Sequence, residues 1–197
     1  MTSFTELVQD EGLQSTTSEG KVRLALGVIA FAIATAVGAQ VAVPLPWTPV
    51  PVTFQPLFVV MAGVVLGPRL GAASMVAYVT IGALGAPVFS NGGAGLGWLF
   101  GPTGGYLLVA PLAAFVAGAV AGREGAALRL LAGLVLGVAT MYAGGVAQLM
   151  WVTGNDVASA VALGAAPFWV GDLTKVLFAF AVVAGWRRFR EGGAGEA

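Results

Sequence analysis

The sequence predicts an all-α integral membrane protein: a bundle of six transmembrane helices with both termini on the cytoplasmic side of the cell membrane. Three observations carry that expectation. Apolar residues make up 58% of the 197 residues and charged residues 9%, against about 25% charged in soluble domains; mean hydropathy is +0.91. Charge-free stretches run from Leu24 to Pro68, from Leu70 to Gly122 and from Leu130 to Asn155. Each exceeds the roughly 20 residues that one helical crossing requires. The basic residues, finally, recur at every second connection.

Residues 1–20 are polar and acidic (Glu6, Asp10, Glu11, Glu19). They have no basic region before an apolar core, so they read as a disordered or interfacial cytoplasmic tail, not a signal peptide. The membrane domain covers residues 21–190, with spans expected at about Val22–Val43, Val52–Gly67, Leu70–Ala86, Thr103–Gly122, Ala126–Val152 and Pro167–Trp186. The second and third are near the lower limit for crossing, and Gly67, Pro68 and Arg69 form the turn between them. A flexible cytoplasmic tail, residues 191–197, follows. Lys21 and Arg23, Arg69, Arg123 and Arg129, and Arg187, Arg188 and Arg190 fall on one side of this arrangement. The connections 44–51, 87–102 and 153–166 hold no Lys or Arg, which makes the basic side cytoplasmic.

The outer connections have unusual chemistry for linkers. Residues 44–51, Pro-Leu-Pro-Trp-Thr-Pro-Val-Pro, contain four prolines, which fix φ and forbid a helix. Such a rigid apolar loop can fold back over a cavity mouth. The second connection holds Pro87-Val-Phe-Ser-Asn91 and then the glycine-rich run Gly92–Gly97, which lets backbone approach a ligand closely. Interfacial turns anchored by Trp47 and Trp98 are the alternative reading. Small residues recur at four-residue spacing: Ala30, Ala34 and Gly38, then Gly118/Gly122 and Gly133/Gly137. They suit close helix packing, within the chain or against a separate membrane subunit.

Asp172 and Lys175, at i and i+3 of the last span, are the only charges the sequence puts inside the bilayer. Each costs on the order of 3 kcal/mol there on insertion scales. Intramembrane charges point to a substrate or ion site, which the two outer loops would cover. A self-satisfied ion pair that fixes helix packing is the alternative, although a buried pair gains little without further hydrogen bonds. Asn91, Gln55, Tyr106 and Gln148 are the other polar side chains within plausible reach.

Several classes are excluded. There is no His and no Cys, so zinc, haem, iron–sulfur and thiol chemistry lose their usual ligands, and no metal site or cofactor is expected. Intramembrane serine and metalloproteases need His, and an aspartyl dyad needs a second intramembrane acid, so an enzyme is not expected. No Walker loop is present: the Gly20-Lys21 dipeptide is followed by Val22. Zero net charge argues against a nucleic-acid partner.

Five blocks, in order along residues 22–186, carry a family pattern. They are Pro44-Leu-Pro-Trp-Thr-Pro-Val-Pro-Val-Thr-Phe-Gln55, Gly63-Val-Val-Leu-Gly-Pro-Arg-Leu-Gly71, Gly85-Ala-Pro-Val-Phe89, Gly101-Pro-Thr-Gly-Gly-Tyr-Leu107 and Asp172-Leu-Thr-Lys175. Together they resemble the BioY family of biotin transport proteins. That resemblance implies a six-helix substrate-binding (S) component of an energy-coupling-factor vitamin transporter, with biotin as transported ligand. It further implies a transmembrane coupling subunit and two cytosolic ATPases as partners, or a homo-oligomer acting alone. By the same resemblance Asp172, Lys175 and Asn91 bind the ligand's polar groups. Phe89, Tyr106 and the loop around Trp47 form its walls, and Ala30 and Ala34 dock the coupling subunit; Gln55, within reach of the pocket, and Gly38, on the same small-residue stripe, join these two sets as candidates. An S component for another small vitamin, or a membrane scaffold with a structural Asp–Lys pair, are the competing expectations.

Overall fold

The computed structural model describes the backbone of residues 4–122 and 126–194, and the side chains of residues 18–122 and 126–189. Arg123, the Arg190 side chain, the acidic side chains of Glu6, Asp10 and Glu11, and residues 195–197 lie outside the described residues. In chain order come α1 (Phe4–Gln40), a hairpin of β1 (Ala42–Leu45) and β2 (Thr48–Thr53), α2 (Gln55–Leu66) and α3 (Pro68–Ala83). A 3-10 turn (Ser90–Gly92) and the short α4 (Leu96–Leu99) lead to α5 (Gly104–Ala121), α6 (Ala127–Thr153), α7 (Val157–Gly164) and α8 (Trp169–Ala194).

Four helical segments are long and apolar enough to cross a membrane: Ser18–Gln40, Gly104–Ala121, Ala127–Thr153 and Trp169–Phe189. The expected second and third spans are shorter. At 1.5 Å per residue, the 12 residues of α2 and 16 of α3 reach only about 18 and 24 Å, against a hydrocarbon core of about 30 Å. What ends α2 is Gly67, at φ 87°, a conformation that glycine adopts freely, followed at once by Pro68 opening α3.

Two expectations change. The acidic segment 1–20 is helical from Phe4 and continuous with the first span, not irregular. No proline interrupts residues 4–40, and Glu, Gln and Leu favour helix. The proline-rich connection is an antiparallel hairpin, pairing Ala42 with Thr53, Val43 with Val52 and Leu45 with Thr48, with an irregularity between Val43 and Leu45. Pro44, Pro49 and Pro51 are tolerated because both strands of a two-stranded ribbon are edges, where a missing donor need break no ladder bond. The fold is otherwise helical.

Close packing centres on α5, whose Ala110, Ala113, Ala114, Ala117 and Ala121 are fully buried. A Cβ on Gly63 would lie 2.0 Å from the Ala114 carbonyl oxygen, on Gly118 2.4 Å from that of Gly63, and on Gly133 2.5 Å from that of Ala117. Helices α2, α5 and α6 therefore meet backbone to backbone, as small residues permit where lipid gives no hydrophobic drive. Along α1 the small residues divide. Ala30 is exposed and Ala34 half-buried, but a Cβ on Gly38 would sit 2.6 Å from the Phe58 ring. Eight residues at 3.6 per turn rotate the stripe by about 80°, which turns Gly38 inward. Gly38 is thus a packing residue and leaves the expected docking face. Outward-facing Ile29, Ile33, Val37, Leu177 and Phe178 suit a lipid surround.

Candidate functional site

Asp172 lies in the first turn of α8, where the helix dipole favours a carboxylate. Lys175, three residues on, turns back and donates to Asp172 Oδ1 at 2.6 Å; the side chains are only 5% and 11% exposed. The amine also donates to the Thr53 carbonyl oxygen at 2.6 Å and lies 5.9 Å from the centre of the Phe54 ring. Tyr142, from α6, donates to Asp172 Oδ2 at 2.5 Å. The ion pair therefore has the extra hydrogen bonds that a buried pair needs, and it ties three elements together: β2, α6 and α8.

These groups line a partly open cavity of about 60 Å³, several times the 10–15 Å³ that one water requires. Its walls come from Val50–Thr53 of the hairpin, Gln55, Trp98, Tyr106, Met141, Tyr142 and Phe168 as well as the ion pair. An outer hollow of about 220 Å³ adjoins it, bounded by Pro49, Asn91, Gly97, Gly101 and Pro102. Pro51, Ser90, Trp98 and Thr103 line both, so inner cavity and outer hollow are neighbours. The hairpin roofs them, held by Lys175 at Thr53, by Thr48 Oγ1 donating to the Leu163 carbonyl oxygen at 2.8 Å, and by Phe54 N–H donating to that of Gly38 at 3.1 Å.

The expected site residues separate into groups. Asp172, Lys175, Gln55 and Tyr106 converge on the inner cavity. Tyr106 contributes its ring, since its hydroxyl donates to the Gly164 carbonyl oxygen at 2.5 Å. Asn91 borders the outer hollow with φ 55°, a left-handed conformation that Asn tolerates better than most residues. Gln40, the last residue of α1, clamps this turn from both ends: Nε2 donates to the Phe89 carbonyl oxygen at 3.0 Å, and Oε1 accepts from the Gly92 N–H at 3.1 Å. Phe89 lines neither space. It is fully buried and packs edge-on against Tyr78 with ring centres 5.7 Å apart. Trp47 sits at the hairpin tip, 61% exposed, and does not reach the cavity. Gln148 donates to the carbonyl oxygens of Leu99 and Gly101, fastening the α4–α5 connection.

Tyr142, Phe168 and the Thr53 carbonyl were not singled out from the sequence, and Trp98 was read only as an interfacial anchor. For Tyr142 a signal existed: a buried tyrosine hydroxyl needs a partner, and Asp172 was the acid at hand. Among the described residues no cluster of His, Cys, Asp and Glu could hold a metal ion.

A multi-helix membrane fold with an ion pair enclosed under a hairpin describes a class of small-molecule capture protein. The solved S-component for biotin from an ECF-type ABC transporter shares the fold, with TM-score 0.78, 22% identity, and 86% of this chain and 93% of that chain covered. The family model described as BioY family matches residues 12–191, and the chain belongs to that family. It is 41% identical over 148 residues to the "Probable biotin transporter BioY" of Pyrococcus horikoshii, covering 75% of this chain and 86% of that one. To the biotin transporter BioY of Thermotoga maritima it is 40% identical over 149 residues, covering 76% and 86%.

Proposed function

We propose that this chain is the biotin-binding S component of an energy-coupling-factor transporter. It takes biotin from the outer face of the cell membrane and passes it inward with a transmembrane coupling subunit and two cytosolic ATPases. It is a transport protein and not an enzyme. The observation that carries this reading is the Asp172–Lys175 pair, buried beside a partly open cavity in a chain of the BioY family. Biotin's ureido N–H groups suit the remaining lone pairs of Asp172. Its apolar ring and valeryl chain suit Tyr106, Met141 and Phe168. The ion pair is already neutral, so the ligand carboxylate belongs toward the outer hollow and Asn91.

The same reading holds that α1, α2, α3, α5, α6 and α8 all cross the membrane, with both termini cytoplasmic. Two features support it. Arg187 donates to the Gly122 carbonyl oxygen at 2.7 Å and Arg129 to that of Val120 at 3.3 Å, and the Pro68 nitrogen lies beside Gly118. Arg129 and Arg187 thus share one end of the bundle with the turn that precedes Arg69, opposite the hairpin. Ala30 and Ala34 form the face offered to the coupling subunit.

Calorimetric titration of biotin into the detergent-purified protein tests the assignment. Binding is expected in the parent. Asp172→Asn keeps the shape but replaces the charged acceptor for the ligand's N–H groups; a hydrogen bond to a charged group is worth about 1.5–3 kcal/mol, so affinity should fall by roughly ten- to a hundredfold. Unchanged affinity in the variant removes Asp172 from the site. A parent that binds another vitamin in place of biotin transfers the same architecture to that ligand.

A further inference from the structure

Among the polar groups of the inner cavity, those on α5, α6 and α8 are matched: Lys175 and Tyr142 with Asp172, and Tyr106 with Gly164. The opposite wall differs. Gln55 Nε2, at the start of α2, and Trp98 Nε1, on α4, are buried without a hydrogen-bond partner, and both residues line the cavity. Gln55 is 7% exposed. Buried donors are almost always paired in native proteins, so two orphans facing one space point to a group that arrives with the ligand. Trp98 sets the polarity of that group, because an indole nitrogen only donates. Its ring is held against Gly93, where a Cβ would come within 2.4 Å.

Building on the biotin assignment, we propose that Gln55 and Trp98 together receive the carbonyl oxygen of the ligand's cyclic urea. That oxygen has two lone pairs for two neutral donors. A carboxylate would bring a charge to a buried wall that has no cation to spare, so it belongs toward the outer hollow. The urea then spans the cavity, its oxygen toward α2 and α4 and its N–H groups toward Asp172. The two walls impose opposite requirements: one demands an acceptor and the other accepts donors. A ligand that reverses either requirement is excluded.

The test compares biotin with 2-iminobiotin, in which an imino nitrogen replaces the carbonyl oxygen and, when protonated at neutral pH, offers only donors. The full chain in detergent is titrated with each. The parent should bind biotin and reject the imino analogue. Gln55→Glu should weaken biotin by roughly tenfold, the scale of one buried hydrogen bond, and narrow or reverse the preference between the ligands. Trp98→Phe keeps an aromatic ring over Gly93 but removes the donor, and should weaken biotin by a similar factor with an unchanged melting temperature. If the parent binds biotin but both variants retain its affinity and preference within about twofold, water satisfies the two donors and the proposal is overturned. A parent that binds no biotin overturns the functional reading itself, a separable result.

Discussion

Asp172 is gripped from two sides, by an amine on its own helix and by a phenol from α6, each bond engaging a different carboxylate oxygen. Two fixed donors leave the carboxylate little freedom to rotate, so its remaining lone pairs face the cavity in one orientation. Tyr142→Phe removes one grip while keeping the ring. A hydrogen bond to a charged group contributes about 1.5–3 kcal/mol to the fold, so the melting temperature should fall, and biotin affinity measured by calorimetry should drop with it because binding must then order a freer carboxylate. Parent-like affinity in this variant would show that Lys175 alone orients the acid. Asp172 and Lys175 were legible in the sequence because a charge in an apolar span stands out without any knowledge of the fold. Tyr142 offered only the general signal of a hydroxyl in need of a partner, and Trp98 read as an interfacial anchor, because the roles of aromatic residues depend on which helices meet. Phe89 misled for the converse reason. Its neighbour Ser90 faces the cavity, but Phe89 itself turns into the core under Gly82.

At the scale of elements, the small-residue stripe of α1 divides between two tasks. Gly38 admits Phe58, whereas Ala30 faces outward. Gly38→Val should overpack the α1–α2 contact, with a cost of about 1–3 kcal/mol visible as a lower melting temperature by tryptophan fluorescence. Ala30→Val should leave the melting temperature of the isolated protein within error and weaken co-purification with the coupling subunit. Equal effects of the two substitutions on melting would put both residues in the internal interface. Four-residue spacing alone could not separate these tasks, since a helix face drifts by about 80° over eight residues. The hairpin was hidden similarly. Proline removes the donors by which strands are usually recognised, and only the pairing across residues 42–53 makes the segment β.

For the whole molecule, hydropathy located the long helices because length and charge are read directly from sequence. Residues 104–121 and 127–153 lie close to the fourth and fifth expected spans. The short α2 and α3 had to be inferred from charge alternation, since their length alone does not require crossing. The absence of cysteine makes the orientation accessible to experiment. Trp47→Cys, at the exposed hairpin tip, should react with a membrane-impermeant maleimide on intact cells. Ser18→Cys should react only after permeabilisation. Labelling of both without permeabilisation would contradict a cytoplasmic N-terminus.

Gln40 gives the bundle a mechanical property. The apolar part of the first helix, Ser18–Gln40, is 23 residues long, a lever of about 35 Å. A lean of about five degrees about its Ser18 end displaces Gln40 by about 3 Å, beyond the stretch that a hydrogen bond survives. Both of its grips on the Asn91 turn must then break, or the turn must travel with the helix.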